Sequence, residues 1–208
     1  MTRVNRWACM LAIGWLSIVA TASVTFADAV HGQWDIVAVH GDSLVPGGVA
    51  FAMANDGTLI TFTGTGTFVL SNGRGTPQAV TGGGTWETRG LVGQNAAHGT
   101  YAVTDLVLFE PGPALPPGTP LPLHDLVGNP DEASAGLLVL RIAYSDGSEG
   151  TLVVSCRLEG VQDGVFADDT AMIFEGVTAT KGSAGFWRNF RIRDSNRTLF
   201  HLRSQARR

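Results

Sequence analysis

Beyond residue 27, apolar and polar positions alternate in short runs broken by Gly, Asp, Asn and Pro, with no window at a 3.6-residue apolar period. Period-two alternation marks strands with one buried face. It predicts strands over residues 34–40, 49–53, 58–62, 65–70, 84–88, 99–110, 136–145, 151–158, 171–180, 185–192 and 198–203. Asn55-Asp56-Gly57, Asn72-Gly73 and Asp146-Gly147 supply turn residues that tolerate positive φ. The clearest hairpin joins 137–144 to 151–158. Leu152, Val154, Cys156 and Leu158 share one face of its second strand. Its first strand is apolar on both faces apart from Arg141, as a central strand covered on two sides would be.

Residues 63–67 alternate Thr and Gly, and Gly82-Gly83-Gly84 precede Thr85-Trp86. Glycines at alternate positions let a strand bend or another backbone come close, which helps a sheet close on itself. About ten short strands with glycine at the corners predict an all-β chain. The expected architecture is a single antiparallel β-barrel of about 8–10 strands, with a β-sandwich as the alternative. Closure also removes exposed edges. The six prolines between Pro111 and Pro122 exclude regular structure there. A long loop over residues 111–132 follows, either the rim of a barrel mouth or a wrap along the barrel's side.

Composition fits this reading. A length of 208 residues suits one domain, and 27 glycines argue against a helical bundle. A charged fraction of 15% and five tryptophans argue against a disordered chain. Residues 1–27 read as a secretory signal peptide, with Arg3 and Arg6 before an apolar run and small residues around Ala27 and Ala29. The barrel domain is then 28–208, and the protein is expected to be secreted or periplasmic. Removing Arg3 and Arg6 takes the formal net charge from −4 to −6. Cys156 is then the sole cysteine and reads as a buried structural thiol.

Charge is unevenly spread. Residues 28–180 carry 17 acidic and 4 basic side chains, and residues 181–208 carry 8 basic and 1 acidic. The C-terminal Arg188, Arg191, Arg193, Arg197, Arg203, Arg207 and Arg208 either dock the last strands onto an acidic body or contact an anionic surface. Alternation in 186–192 and 199–202 favours docking. No nucleic-acid partner is expected, and membrane contact is expected only through the signal peptide or this Arg-rich end. Asn196-Arg197-Thr198 is a glycosylation sequon.

Candidate chemistry is sparse. His31, His40, His98, His124 and His201 form no metal-binding pair, and no metal or cofactor is expected. Asp163, Asp168 and Asp169 share a turn whose spacing does not match a calcium loop. No nucleophile elbow or phosphate loop occurs. Three charges interrupt otherwise apolar strand faces: Asp105 with Tyr101, Val103, Val107 and Phe109; Arg141 with Val139 and Ala143; and Glu175 with Ile173 and Val177. If those faces look inward, Asp105, Arg141 and Glu175 meet in the lumen as candidate catalytic residues. Trp34, Trp86, Tyr101, Tyr144 and Phe174, with Trp187, are the candidate lining of a ligand cavity.

Four segments carry a resemblance: Gly82-Gly83-Gly84-Thr85-Trp86; Arg141-Ile142-Ala143-Tyr144-Ser145-Asp146-Gly147; Phe174-Glu175-Gly176-Val177-Thr178-Ala179-Thr180-Lys181-Gly182; and Asn196-Arg197-Thr198-Leu199-Phe200-His201. Through them the chain resembles a group of mostly bacterial secreted proteins to which no activity is attached, so no functional residue carries over. Between Lys181 and Asn196 it departs from that pattern through its Arg-rich stretch. In style, the Gly-Thr-rich strands are similar to dirigent-type and lipocalin-like barrels. The leading expectation is non-catalytic binding of a small, partly apolar ligand at the barrel mouth. The alternatives are a cyclase, isomerase or dirigent-type enzyme using the three luminal charges, and a structural or surface-interaction protein with a filled barrel.

Overall fold

The computed structural model describes residues 29–70, 79–90, 96–112, 120–158, 175–188 and 197–204. Its strands are β1 (Val30–His40), β2 (Ser43–Pro46), β3 (Ala50–Met53), β4 (Leu59–Phe62), β5 (Thr65–Leu70), β6 (Val80–Arg89) and β7 (Ala97–Pro111). They continue with β8 (His124–Asp125), β9 (Ala133–Ser134), β10 (Gly136–Tyr144), β11 (Glu149–Cys156), β12 (Gly176–Lys181), β13 (Ala184–Arg188) and β14 (Arg197–Ser204). A 3-10 turn, Pro130–Glu132, precedes β9. Eight strands form a closed antiparallel barrel in the order β4–β3–β13–β12–β11–β10–β7–β6, with β6 pairing back onto β4.

The other strands lie outside that ring. β6 uses its second half for β4 and its first half for β5, so the sheet branches there. From β5 it continues through β1 and β14 to β9, and β2 and β8 hang from β1. This branch curls back: the Thr198 hydroxyl at the start of β14 donates to the Ser155 carbonyl in β11 at 2.6 Å. β14 pairs with β1 over eight residues, from Val37↔Arg197 to Val30↔Ser204, so the last strand is docked. Arg191, Arg193, Arg207, Arg208, Asn196 and the Asp163–Asp169 turn lie outside the described residues.

The glycine pattern has a specific cause. The indole of Trp34 lies on backbone from two neighbouring strands. A Cβ at Gly66 would meet Trp34 Nε1 at 2.5 Å and the Thr81 carbonyl oxygen at 2.2 Å. At Gly82, where φ is +139°, a Cβ would meet Trp34 Cζ2 at 2.9 Å. Side chains there would force apart β5, β6 and the indole between them. Gly82–Gly84 thus lie inside β6, which begins at Val80, four residues before the predicted start.

Among the described residues, the inward side chains pack against one another. Phe62 meets Tyr101 edge-on at 5.5 Å and Trp86 meets Tyr144 edge-on at 5.5 Å. Phe109 of β7 packs against Phe68 of β5 at 4.8 Å and edge-on against Phe200 of β14 at 5.3 Å, joining the ring to the outer strands. Leu106, Leu138, Leu140, Ile142, Leu152 and Val154 complete one continuous core. The inward row of β10 is Leu138, Leu140, Ile142 and Tyr144, as the alternation predicts.

Candidate functional site

The three charges do not meet. β7 carries two irregularities opposite β10, between Val139 and Leu140 and between Arg141 and Ile142. Each adds a residue and flips the phase, so Tyr101, Leu106 and Phe109 point inward although their spacing is uneven. Asp105 therefore faces outward beside its register partner Arg141, with Arg141 Nε 3.9 Å from Asp105 Oδ2 and both side chains substantially exposed. Glu175 lies elsewhere, just before β12. The catalytic cluster expected from Asp105, Arg141 and Glu175 is thus not assembled, because strict alternation does not survive the bulges.

The candidate lining aromatics are interlocked. Trp34, Trp86, Tyr101 and Tyr144 are all buried, and their polar atoms are mostly used internally. Tyr101 OH donates to the Thr63 carbonyl at 2.9 Å, Tyr144 OH to the Thr180 carbonyl at 2.8 Å, and Trp86 Nε1 to the Thr100 carbonyl at 3.1 Å. Burial pushes both tyrosine hydroxyls above their ordinary pKa. Trp187 is 60% exposed on the outside, paired with Met53 across β13 and β3. Phe174 lies outside the described residues.

One end of the barrel is plugged. Lys181 Nζ sits 4.4 Å from the centre of the Trp86 ring and 5.0 Å from that of Tyr144. The ammonium also contacts the Asp146 carboxylate and donates to Ser148 Oγ at 2.9 Å. Its hydrogen bond, with those from Ser148, holds the Asp146 carboxyl down at about 2.

At the opposite end Glu175 ties three strands together. The Arg157 backbone N–H donates to Oε2 at 2.6 Å, and the Thr198 backbone N–H donates to Oε1 at 2.6 Å. The Thr198 hydroxyl adds a contact to Oε1 at 3.1 Å. Burial nevertheless raises the carboxyl to about 7 against these donors and the charge of Arg197. Cys156 beside it is buried, which lifts its thiol well above the ordinary value. Leu44, Leu121, Pro122, Leu123, Leu158 and Leu199 close over this knot and leave about 30 Å³ free, room for a water or two.

A roomier cleft opens further along β14, on the outer face of β5, β1 and β14. Two cross-strand rungs define it: Val69–His31–Arg203 and Thr67–Gln33–His201. Strand alternation puts all six side chains on one face. Glu132, at the end of the proline-rich segment, forms a wall, and Gly32 with Phe68 contributes to the floor. The cleft holds about 250 Å³, with polar and apolar lining in comparable amounts.

His201 is the least expected member. Its side chain is 4% exposed, and its Nε2 lies 2.7 Å from Asp125 Oδ2, itself fully covered. Asp125 Oδ1 accepts the backbone N–H groups of Val127 at 2.8 Å and Gly128 at 3.2 Å. A carboxylate so engaged fixes the proton of the ring on Nε2. The bare Cα of Gly128 lies against the ring, where a Cβ would come within 2.6 Å of Cε1 and Nε2. The ring's other nitrogen, Nδ1, is buried without a hydrogen-bond partner. Nothing in the sequence pairs Asp125 with His201. The available signal was the position of His201 between Leu199 and Arg203, on the face away from Phe200.

The fold and its clefts define a closed β-barrel with a packed interior and a mixed polar–apolar cleft on an outer sheet face. Comparison with protein families, with curated proteins and with solved structures gives no match.

Proposed function

We propose that this is an exported, non-catalytic binding protein that takes a small, partly apolar ligand in the cleft between His31, Gln33, Thr67, Val69, His201 and Arg203. The observation that carries the reading is the contrast in room. The aromatics of the lumen are spent on each other, whereas this cleft holds about 250 Å³ with polar and apolar lining in similar measure. A few convergent polar groups over an apolar floor are the usual make-up of a small-molecule site. The barrel serves as a rigid support for it, and Glu132 of the proline-rich segment serves as rim. The site is on a flank rather than in the mouth, because Trp86, Tyr144 and Lys181 fill one end and the Glu175 knot the other.

Native mass spectrometry of protein purified from its host tests this. Wild-type protein carries a small-molecule adduct. Val69→Trp, which fills the cleft from an outward position, loses it while keeping the wild-type circular dichroism. A wild-type mass equal to the bare chain, or an adduct retained by a folded Val69→Trp protein, overturns the reading.

A further inference from the structure

Among the described residues, some polar groups of the cleft are engaged with each other and others are not. Gln33 Nε2 donates to Asp35 Oδ2 at 2.7 Å, which occupies that carboxylate. Asp125 takes two backbone N–H groups and the His201 ring. Glu132 Oε1 accepts from Asn129 Nδ2 at 3.3 Å. Arg203 and His31 are cross-strand neighbours with no ion pair between themselves and other described residues. His201 Nδ1 is buried and unpartnered. A buried nitrogen without a partner costs free energy that a ligand atom can recover.

We infer that the ligand of this cleft is a small organic acid, with its carboxyl group shared between His201 Nδ1 and the Arg203 guanidinium and its apolar body on Val69 and the Phe68–Gly32 floor. This rests on the cleft being the binding site. A carboxyl group suits the ring in either protonation state. A neutral ring accepts the acid's proton at Nδ1, and a charged ring donates to the carboxylate; in both cases one proton lies between nitrogen and oxygen. Hydroxyl and amide heads match the ring but leave the guanidinium charge unanswered. Arg203 supplies a planar fork suited to a carboxylate, and His31 flanks it on the next strand. The ring cannot turn away, because Asp125 and Gly128 hold it from two sides.

The test uses three probes of one length on the intact protein: hexanoate, hexanamide and hexan-1-ol, each titrated against backbone amide NMR shifts. Hexanoate is expected to saturate shifts at Gly32, Gln33 and Phe68 with at least about tenfold tighter binding than either neutral probe, as a charge-assisted pair requires. Arg203 is exposed, so Arg203→Gln keeps the fold; it removes the preference for the acid. His31→Gln lowers the preference by a smaller factor. Equal binding of all three probes overturns the acid inference and leaves the cleft as a binding site. The same holds if Arg203→Gln retains the preference. Shifts that map inside the barrel, around Phe62 or Tyr144, overturn both readings. No saturable shift with hexanoate overturns the acid inference, with the adduct measurement still deciding the cleft.

Discussion

Replacing Glu175 with Gln separates burial from charge at the knot between β11, β12 and β14. The carboxyl stands at about 7 in the folded chain, against an ordinary value of 4.5. The folded-state value is therefore the higher one. Below about pH 4.5 the acid is protonated in both states and costs nothing. Between pH 4.5 and 7 the unfolded chain releases the proton while the folded chain keeps it, so stability falls as pH rises. The full loss is the difference of about 2.5 units at ~1.4 kcal/mol each, roughly 3 kcal/mol, reached above pH 7. Gln keeps the shape but does not titrate. It also sets its amide N–H₂ against one of the backbone donors, Arg157 or Thr198, at a pH-independent cost of about 1–3 kcal/mol. The assay is urea unfolding of wild type and Glu175→Gln from pH 4 to 8. Wild-type stability relative to the variant declines by roughly 3 kcal/mol across that range, with the steep part between pH 4.5 and 7. A relative stability that rises with pH would refute the reasoning. It would mean that the backbone donors and Arg197 outweigh burial and hold the group ionised. A flat difference would refute it too, because the carboxyl would then be solvated.

Three further perturbations follow from named contacts. Gly66→Ala places a Cβ 2.2 Å from the Thr81 carbonyl oxygen and 2.5 Å from Trp34 Nε1; a loss of at least ~2 kcal/mol in chemical denaturation is expected, and a neutral result would show that the strands are not in contact there. Asp125→Ala strands His201 in a covered site and costs about 3 kcal/mol, whereas Asp105→Asn breaks only the exposed Arg141 contact and costs no more than about 0.5 kcal/mol. Equal effects would show that the inside–outside assignment of these carboxylates is wrong. Lys181→Met removes the ammonium that holds Asp146 low, so the Asp146 titration followed by carboxyl ¹³C NMR moves up from about 2 toward the ordinary range. An unmoved midpoint would assign the low value to Ser148 alone.

Much of the barrel was legible because alternation is a strong signal wherever a strand is regular. β10 and β11 were read with their faces in phase, and the Gly-Thr runs pointed to the close backbone approach under Trp34. Reading failed where the period breaks. In β7 two bulges shift the phase between Tyr101 and Phe109, so strict alternation puts Asp105 on the wrong face. β2, β8 and β9 span two to four residues each, too short to alternate visibly, and are formed by pairing rather than by pattern. The Asp125–His201 pair spans 76 residues and joins β8 to β14, so no spacing could announce it. Trp34, Trp86, Tyr101 and Tyr144 are buried while Trp187 is exposed, and sequence cannot distinguish a wall of an open cavity from rings that pack on each other. That depends on centroid spacings such as the 4.8 Å between Phe68 and Phe109.

The central claim is that ligand room lies on the barrel's flank and its interior is solid. The crystal structure of protein isolated with the small molecule it retains addresses this most directly. The account predicts ligand density against Val69, His31 and Arg203, with an oxygen within hydrogen-bond distance of His201 Nδ1 and the Phe62–Tyr101 and Trp86–Tyr144 contacts unchanged. Density inside the ring, with those aromatic pairs parted to admit it, would contradict the account.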